Sequence, residues 1–119
     1  SSAYDRWWEA RTLWGSLVNY SRTLARQALT LITPASHEAR ATQRLLVQLQ
    51  IAFTHALRCH LRGQNPYPEL SGVLDDETLA WLRRYKNVPA AILLKMGQET
   101  SRAFEEGWID SIRFAAIDE

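Results

Sequence analysis

Residues 4–31 read YDRWWEARTLWGSLVNYSRTLARQALTL, and their spacing decides the fold class. Ala10, Trp14, Leu17, Ser21, Leu24, Ala28 and Leu31 recur at alternating steps of four and three, while Arg11, Arg22 and Arg26 lie largely off that line. Such a seam lies along one side of an α-helix. At about 1.5 Å per residue the predicted helix exceeds about 40 Å, longer than a small domain requires. Gly15 interrupts it at a cost of about 0.5–1 kcal/mol relative to alanine, which a close helix crossing would explain.

The same spacing continues downstream. Thr33-Pro34 is expected to end the first helix and open the second, with Thr33 as N-cap and Pro34 in the tolerated first position. The second helix is predicted to reach about Arg62, where Gly63 suits the left-handed C′ position. Its apolar face includes Leu45, Leu49, Ala52, Phe53, Ala56 and Leu57. Two long helices joined by so short a link predict an antiparallel hairpin. Residues 63–68 are read as a loop, because Pro66 and Pro68 restrict the residues before them. Asp75 is the expected cap of a short helix over residues 76–85, and Pro89 opens a fourth helix through Phe104, closed by Gly107. Asp110 is the expected cap of a terminal helix over residues 111–119. No alternating β-branched run and no repeat occurs. The prediction is all-α: a hairpin of two long helices with shorter helices added, in one helical domain over residues 1–119.

Composition narrows the function classes. The chain has 119 residues, 46% hydrophobic and 23% charged, which suits one domain with one core. Fourteen basic and 13 acidic residues give a net charge of +1. That is a weak basis for phosphate neutralisation, and no nucleic-acid partner is expected. Arg40, Arg44, Arg58 and Arg62 recur along the second helix and read as a solvated or inter-subunit face. The lone Cys59 cannot form an internal disulfide. Residues 1–14 carry Asp5, Arg6, Glu9 and Arg11 and do not read as a signal peptide. The longest apolar run, residues 88–94, falls far short of the roughly 20 residues a membrane span needs. The segment by itself is therefore expected to be soluble.

Catalytic chemistry finds no foothold. His55 and Cys59 share a helix face, but no second His or Cys pair completes a zinc site. A Cys–His nucleophilic pair also needs an orienting group and an exposed turn. Asp75, Asp76 and Glu77 are explained by helix capping, and Glu105-Glu106 by a solvated face. No two glycines lie within six residues of each other, so phosphate-cradling loops are absent. Neither an enzyme, a bound metal nor a cofactor is predicted.

The tryptophans are the anomaly. Trp7, Trp8 and Trp14 crowd the start of the first helix. Adjacent residues sit about 100° apart on a helix, so burying both Trp7 and Trp8 demands two partners. A neighbouring chain and a membrane interface are the candidates, since tryptophan is enriched at both. The alternative is that one of the two is partly exposed.

The opening Tyr4-Asp5-Arg6-Trp7-Trp8-Glu9-Ala10-Arg11, followed by Leu13-Trp14-Gly15 and residues 22–27, resembles the bestrophin family of ion channels, and more narrowly its bacterial branch. In that family an Arg-Trp-Trp motif directly follows the second transmembrane helix at the cytoplasmic interface. The Asn87-Val88-Pro89 helix break and residues 107–112 agree in order. The resemblance implies a cytoplasmic part of a homopentameric chloride or monovalent-ion channel, on the inner face of the cell membrane. Its transmembrane segments would belong to the same chain, outside these residues. Arg6, Trp7 and Trp8 would then pack at the membrane interface or against other subunits. The family's cytosolic aperture is an apolar residue just after an Asp-x pair, so Asp110-Ser111-Ile112 implies Ile112 as aperture residue and Asp110 as cap of the aperture helix. The family's calcium-binding segments have no counterpart here. The competing expectation is a soluble helical module that binds a protein through its tryptophan-rich face.

Overall fold

The computed structural model describes residues 2–33 and 36–109. Five helices follow in order: α1 Ser2–Leu31, α2 His37–Leu61, α3 Tyr67–Leu70, α4 Asp76–Leu82 and α5 Val88–Glu105. Among the described residues there is no strand. The all-α prediction holds.

The central element is α2, which packs against α1, α3 and α5. Leu46, Leu49, Ala52, Phe53 and Ala56 on α2 are at most 1% exposed, and α5 adds the fully buried Ile92 and Met96. Leu70 of α3 and Leu82 of α4 close the same cluster. Past the link after α1 the chain turns back, and Gln43 Nε2 donates to the carbonyls of Ala28 (2.9 Å) and Leu29 (3.2 Å). That bond ties the second turn of α2 to carbonyls near the end of α1, where intrahelical partners run out.

Two helix ends follow the same rule. After α2, Gly63 adopts φ 66°, and after α5, Gly107 adopts φ 79°. In both places the next residue's N–H reaches back to the helix: Gln64 to the Cys59 carbonyl (2.8 Å) and Trp108 to the Ala103 carbonyl (2.9 Å). The glycine N–H bonds His60 in the first case (3.3 Å) and Phe104 in the second (3.1 Å). These are paired Schellman closures, and glycine is used because the left-handed conformation costs it nothing.

Four expectations are corrected. The second helix does not begin at Thr33-Pro34. Ser36 caps it, with Oγ accepting from the Ala39 N–H at 3.0 Å. Thr33 is engaged elsewhere: its N–H donates to the Trp108 carbonyl at 3.0 Å. Pro34 lies outside the described residues. The expected loop at residues 63–68 contains the start of α3, because Pro68 falls in a first turn whose N–H groups have no helical acceptor. The short helix after Asp75 stops at Leu82 rather than Tyr85.

The fourth correction concerns α1. Its buried line is Val18, Ser21, Ala25 and Ala28, continued by Ile32, rather than the Leu17, Leu24, Leu31 series. Small residues let the α2 backbone approach closely, which rotates the leucines to the flank, and Leu17 is left 38% exposed. Gly15 stands at no close crossing either, since a Cβ placed there meets nothing within 4 Å. Gly15→Ala is therefore expected to stabilise the 119-residue chain by about 0.5–1 kcal/mol, read as a raised urea midpoint with unchanged slope. A lowered midpoint would mean that Gly15 is packed against something.

Candidate functional site

Among the described residues, the first half of α1 buries no side chain. All four buried residues of this 30-residue helix lie from Val18 onward. Before them Tyr4 (61%), Trp7 (54%), Trp8 (56%) and Leu13 (64%) are more than half exposed, and Trp14 is exposed as well. So the structure answers the question the sequence left open: both adjacent tryptophans face outward. They touch mainly each other and their own helix. Ring centroids of Trp7 and Trp8 lie 6.3 Å apart and those of Tyr4 and Trp7 6.1 Å, while the Arg11 guanidinium stands 5.6 Å over Trp7. Arg6 folds back along the helix, its Nε donating to the Ser2 carbonyl at 3.2 Å. The result is an aromatic band with cationic residues beside it, presented by a helix whose other half is anchored in the core. Among the described residues no helix is long and apolar enough to cross a membrane.

At the other end of the domain, the chain is braced just before residue 110. Gly107 turns it out of α5, Trp108 receives the Thr33 N–H on its carbonyl, and Ile109 is buried to 6% exposure. The Arg102 guanidinium lies 5.2 Å over the Trp108 ring and donates to Thr42 Oγ1 (2.6 Å) and Glu99 Oε2 (3.0 Å). Glu99 also meets Lys95 at 3.6 Å, and Lys95 stands 5.0 Å over Trp81, whose ring is 4.7 Å from that of Tyr85. This chain of charge and ring contacts connects α2, α4 and α5 to the exit strand of backbone. Asp110 and Ile112 themselves lie outside the described residues.

Sequence reasoning did not find the Arg102–Thr42–Trp108 brace, because Thr42 and Arg102 are 60 positions apart. The available signal was Gly107 followed by a large aromatic, the pattern of a Schellman closure with an apolar residue after it.

The other sequence candidates fall into structural roles. Cys59 is buried at 2% exposure, and His55 Nδ1 lies 3.0 Å from Glu69 Oε2, which also receives Arg58. This trio joins α2 to α3. The Asp75 side chain accepts from the Thr78 N–H at 2.8 Å. Hydrogen bonds from the Thr78 side chain and backbone, with the Lys95 charge adding to them, hold the Asp75 carboxyl below the usual carboxylate range. Burial pushes the Tyr67 phenol up, against the opposing Arg83 guanidinium 4.1 Å over its ring.

Comparison with known proteins places these features. The family described as Bacterial/Fungal Bestrophin protein matches residues 1–119. A voltage-dependent anion channel-forming protein of Ralstonia nicotianae is 39% identical over 118 residues, covering 99% of this chain and 38% of that protein. The voltage-dependent anion channel-forming protein YneE of Escherichia coli is 33% identical over 119 residues, covering 100% of this chain and 38% of its own length. A crystal structure of a variant bacterial bestrophin homologue from Klebsiella pneumoniae superposes with a TM-score of 0.77 at 32% identity, over 99% of this chain and 43% of that one. The chain thus spans under two fifths of the length of these two curated relatives.

Proposed function

Because the chain belongs to the bacterial and fungal bestrophin family, we propose that it is the cytosolic segment that shapes the inner vestibule and aperture of a channel for chloride or other monovalent ions. The observation that carries this reading is the outward-facing aromatic half of α1. A lone soluble domain rarely exposes so much contiguous apolar surface, and an exposed patch rimmed by charge marks a docking face. In this reading α1 continues from a membrane-spanning helix of the same chain. Trp7 and Trp8 sit where it leaves the bilayer and pack there against neighbouring subunits, each with an apolar ring for that contact and one N–H for the wet side of the boundary. Arg6 lies at the headgroup level, and the remaining exposed face meets neighbouring subunits of a homopentamer on the cytoplasmic side of the cell membrane.

The second half of the proposal concerns the exit from α5. The brace of Arg102, Trp108 and Thr33 fixes the point from which residues 110–112 start. Asp110 would cap the helix that follows, and Ile112 would point to the ion path, where five apolar side chains restrict ions by width and dewetting. No bond is made or broken in this function, which is passage rather than catalysis.

Two tests bear on it. The reading frame on both sides should encode apolar stretches of about 20 residues, and stop codons close to both ends would end the proposal. The protein expressed from that whole frame should carry ion currents in a planar bilayer. Silent membranes, with the purified protein demonstrably inserted, would overturn it.

A further inference from the structure

The leucines that α1 turns away from α2 form a second seam, which the described helices cover only in part. Leu13, Leu17, Tyr20, Leu24, Gln27 and Leu31 follow one another at alternating steps of four and three, with Gln27 the one strongly polar member. Leu13, Leu17 and Tyr20 are exposed, Gln27 is half-buried, and Leu24 and Leu31 pack partly against the core cluster. An apolar period of 3.5 residues is what a helix presents to another helix that runs along it for several turns.

The chain itself arrives at one end of this seam. Thr33, two residues past Leu31, donates its N–H to the Trp108 carbonyl at 3.0 Å, which sets Ile109 beside the end of α1. Ile109 is buried in the same cluster that Leu24 and Leu31 edge. Ten residues follow it, 110–119. As a helix, residues 111–119 are about 13 Å long, and Leu24 lies about 10 Å from Leu31 along α1. The segment is long enough to cover both leucines and falls short of Leu17, about 21 Å away.

Its sequence carries a matching face. At about 100° per residue, Phe114 and Ile117 lie about 60° apart, and about 200° and 140° round the helix from Ile112. A helix that turns Ile112 to the ion path therefore turns two large apolar side chains the opposite way, where they need cover. A second copy of the chain is the rival occupant of the seam. The exit of this chain beside Leu31 favours its own segment.

We propose that residues 111–119 run back antiparallel along α1, with Phe114 seated between Leu31 and Gln27 and Ile117 on Leu24, so that this packing holds Ile112 toward the axis. The proposal rests on the reading of Ile112 as aperture residue. Its test records no current, so a failed contact and a silent membrane are separate results.

The test uses the protein purified from its whole reading frame, with Cys59→Ala removing the one cysteine of these residues. Two cysteine pairs are introduced singly: Leu24→Cys with Ile117→Cys, and Gln27→Cys with Phe114→Cys. A third pair, Leu24→Cys with Ile112→Cys, samples the opposite face. On mild oxidation with copper phenanthroline, the first two pairs should lose their free thiols and yield disulfide-linked peptides from the monomer band of a non-reducing gel. The third pair should keep its thiols, since a disulfide needs Cα atoms within about 7 Å. In the unsubstituted protein, hydroxyl-radical labelling of Leu24 and Leu31 should be slower than that of Leu29, which is 59% exposed on the same helix. Linkage as covalent dimers would give the seam to a neighbouring copy and overturn the proposal. Free thiols in both matched pairs, linkage of the Ile112 pair alone, or labelling of Leu24 and Leu31 as fast as Leu29 would overturn it as well.

Discussion

Phe53→Ala is expected to destabilise the 119-residue chain by about 3–5 kcal/mol, a large part of the whole stability of a domain this size. Phe53 is fully buried in the middle of α2, the helix that packs against α1, α3 and α5 together. It shares its cluster with Leu49, Ile92 and Met96, none of which is more than 1% exposed. Truncation removes the transfer free energy of the ring and leaves a cavity within a cluster built on packed helices. Its walls cannot collapse without dragging helix backbones, so the cost falls toward the upper part of the range. Guanidinium unfolding checks it: the midpoint should fall with little change in slope. A loss below about 1 kcal/mol would mean that α2 is not the packing centre of this domain.

The second large effect separates folding from assembly. Replacing Trp7 and Trp8 together by alanine should leave the isolated chain's stability within about 0.5 kcal/mol, because both side chains are more than half exposed there. In the protein expressed from its whole reading frame, the same double substitution should be severe. A buried interfacial tryptophan typically contributes at least about 2 kcal/mol, which is about 30-fold in a dissociation constant for each residue. Light scattering of the detergent-solubilised protein should show smaller species than the wild type at equal concentration. An assembly of unchanged mass and unchanged melting would remove both tryptophans from subunit packing.

Some of this was open to reading from the residues because it depends on local chemistry. Gly63 and Gly107 end helices since a left-handed residue closes the last carbonyls, and both ends are legible in the residues alone. Asp75 caps α4 because a short acceptor two or three residues before an apolar run finds free N–H groups. Asn87 does the same for α5, which starts at Val88, one residue ahead of the expected Pro89, the Asn87 Oδ1 accepting from the Ala90 N–H at 3.1 Å. What escaped depends on partners distant in sequence. The 3–4 spacing of α1 supports two adjacent seams that share Trp14, Ser21 and Ala28. Only the surface of α2 chooses between Leu17–Leu24–Leu31 and Val18–Ala25–Ile32. Thr33 has the residue type of a cap, and the contact that holds it, its N–H on the Trp108 carbonyl 75 positions away, leaves no trace in the local sequence. The Arg102 brace is invisible for the same reason.

The candidate site divides along that line too. The doubled tryptophan announced itself because two adjacent large rings cannot both face one helix's core. The structure leaves both in the open, which no soluble packing argument had required. Asp110 and Ile112 rest on the bestrophin pattern of an apolar residue after an Asp-x pair, and the structure contributes the braced backbone that leads to them.

The most direct test of the central claim is a planar-bilayer comparison of the protein from its whole reading frame with its Ile112→Ala variant, under an ion gradient. If Ile112 lines a constriction, shortening five side chains around one axis must widen and wet it. The expected result is a changed unitary conductance, a shifted reversal potential, or both. Currents identical in conductance and reversal potential would take Ile112 out of the ion path and contradict the account.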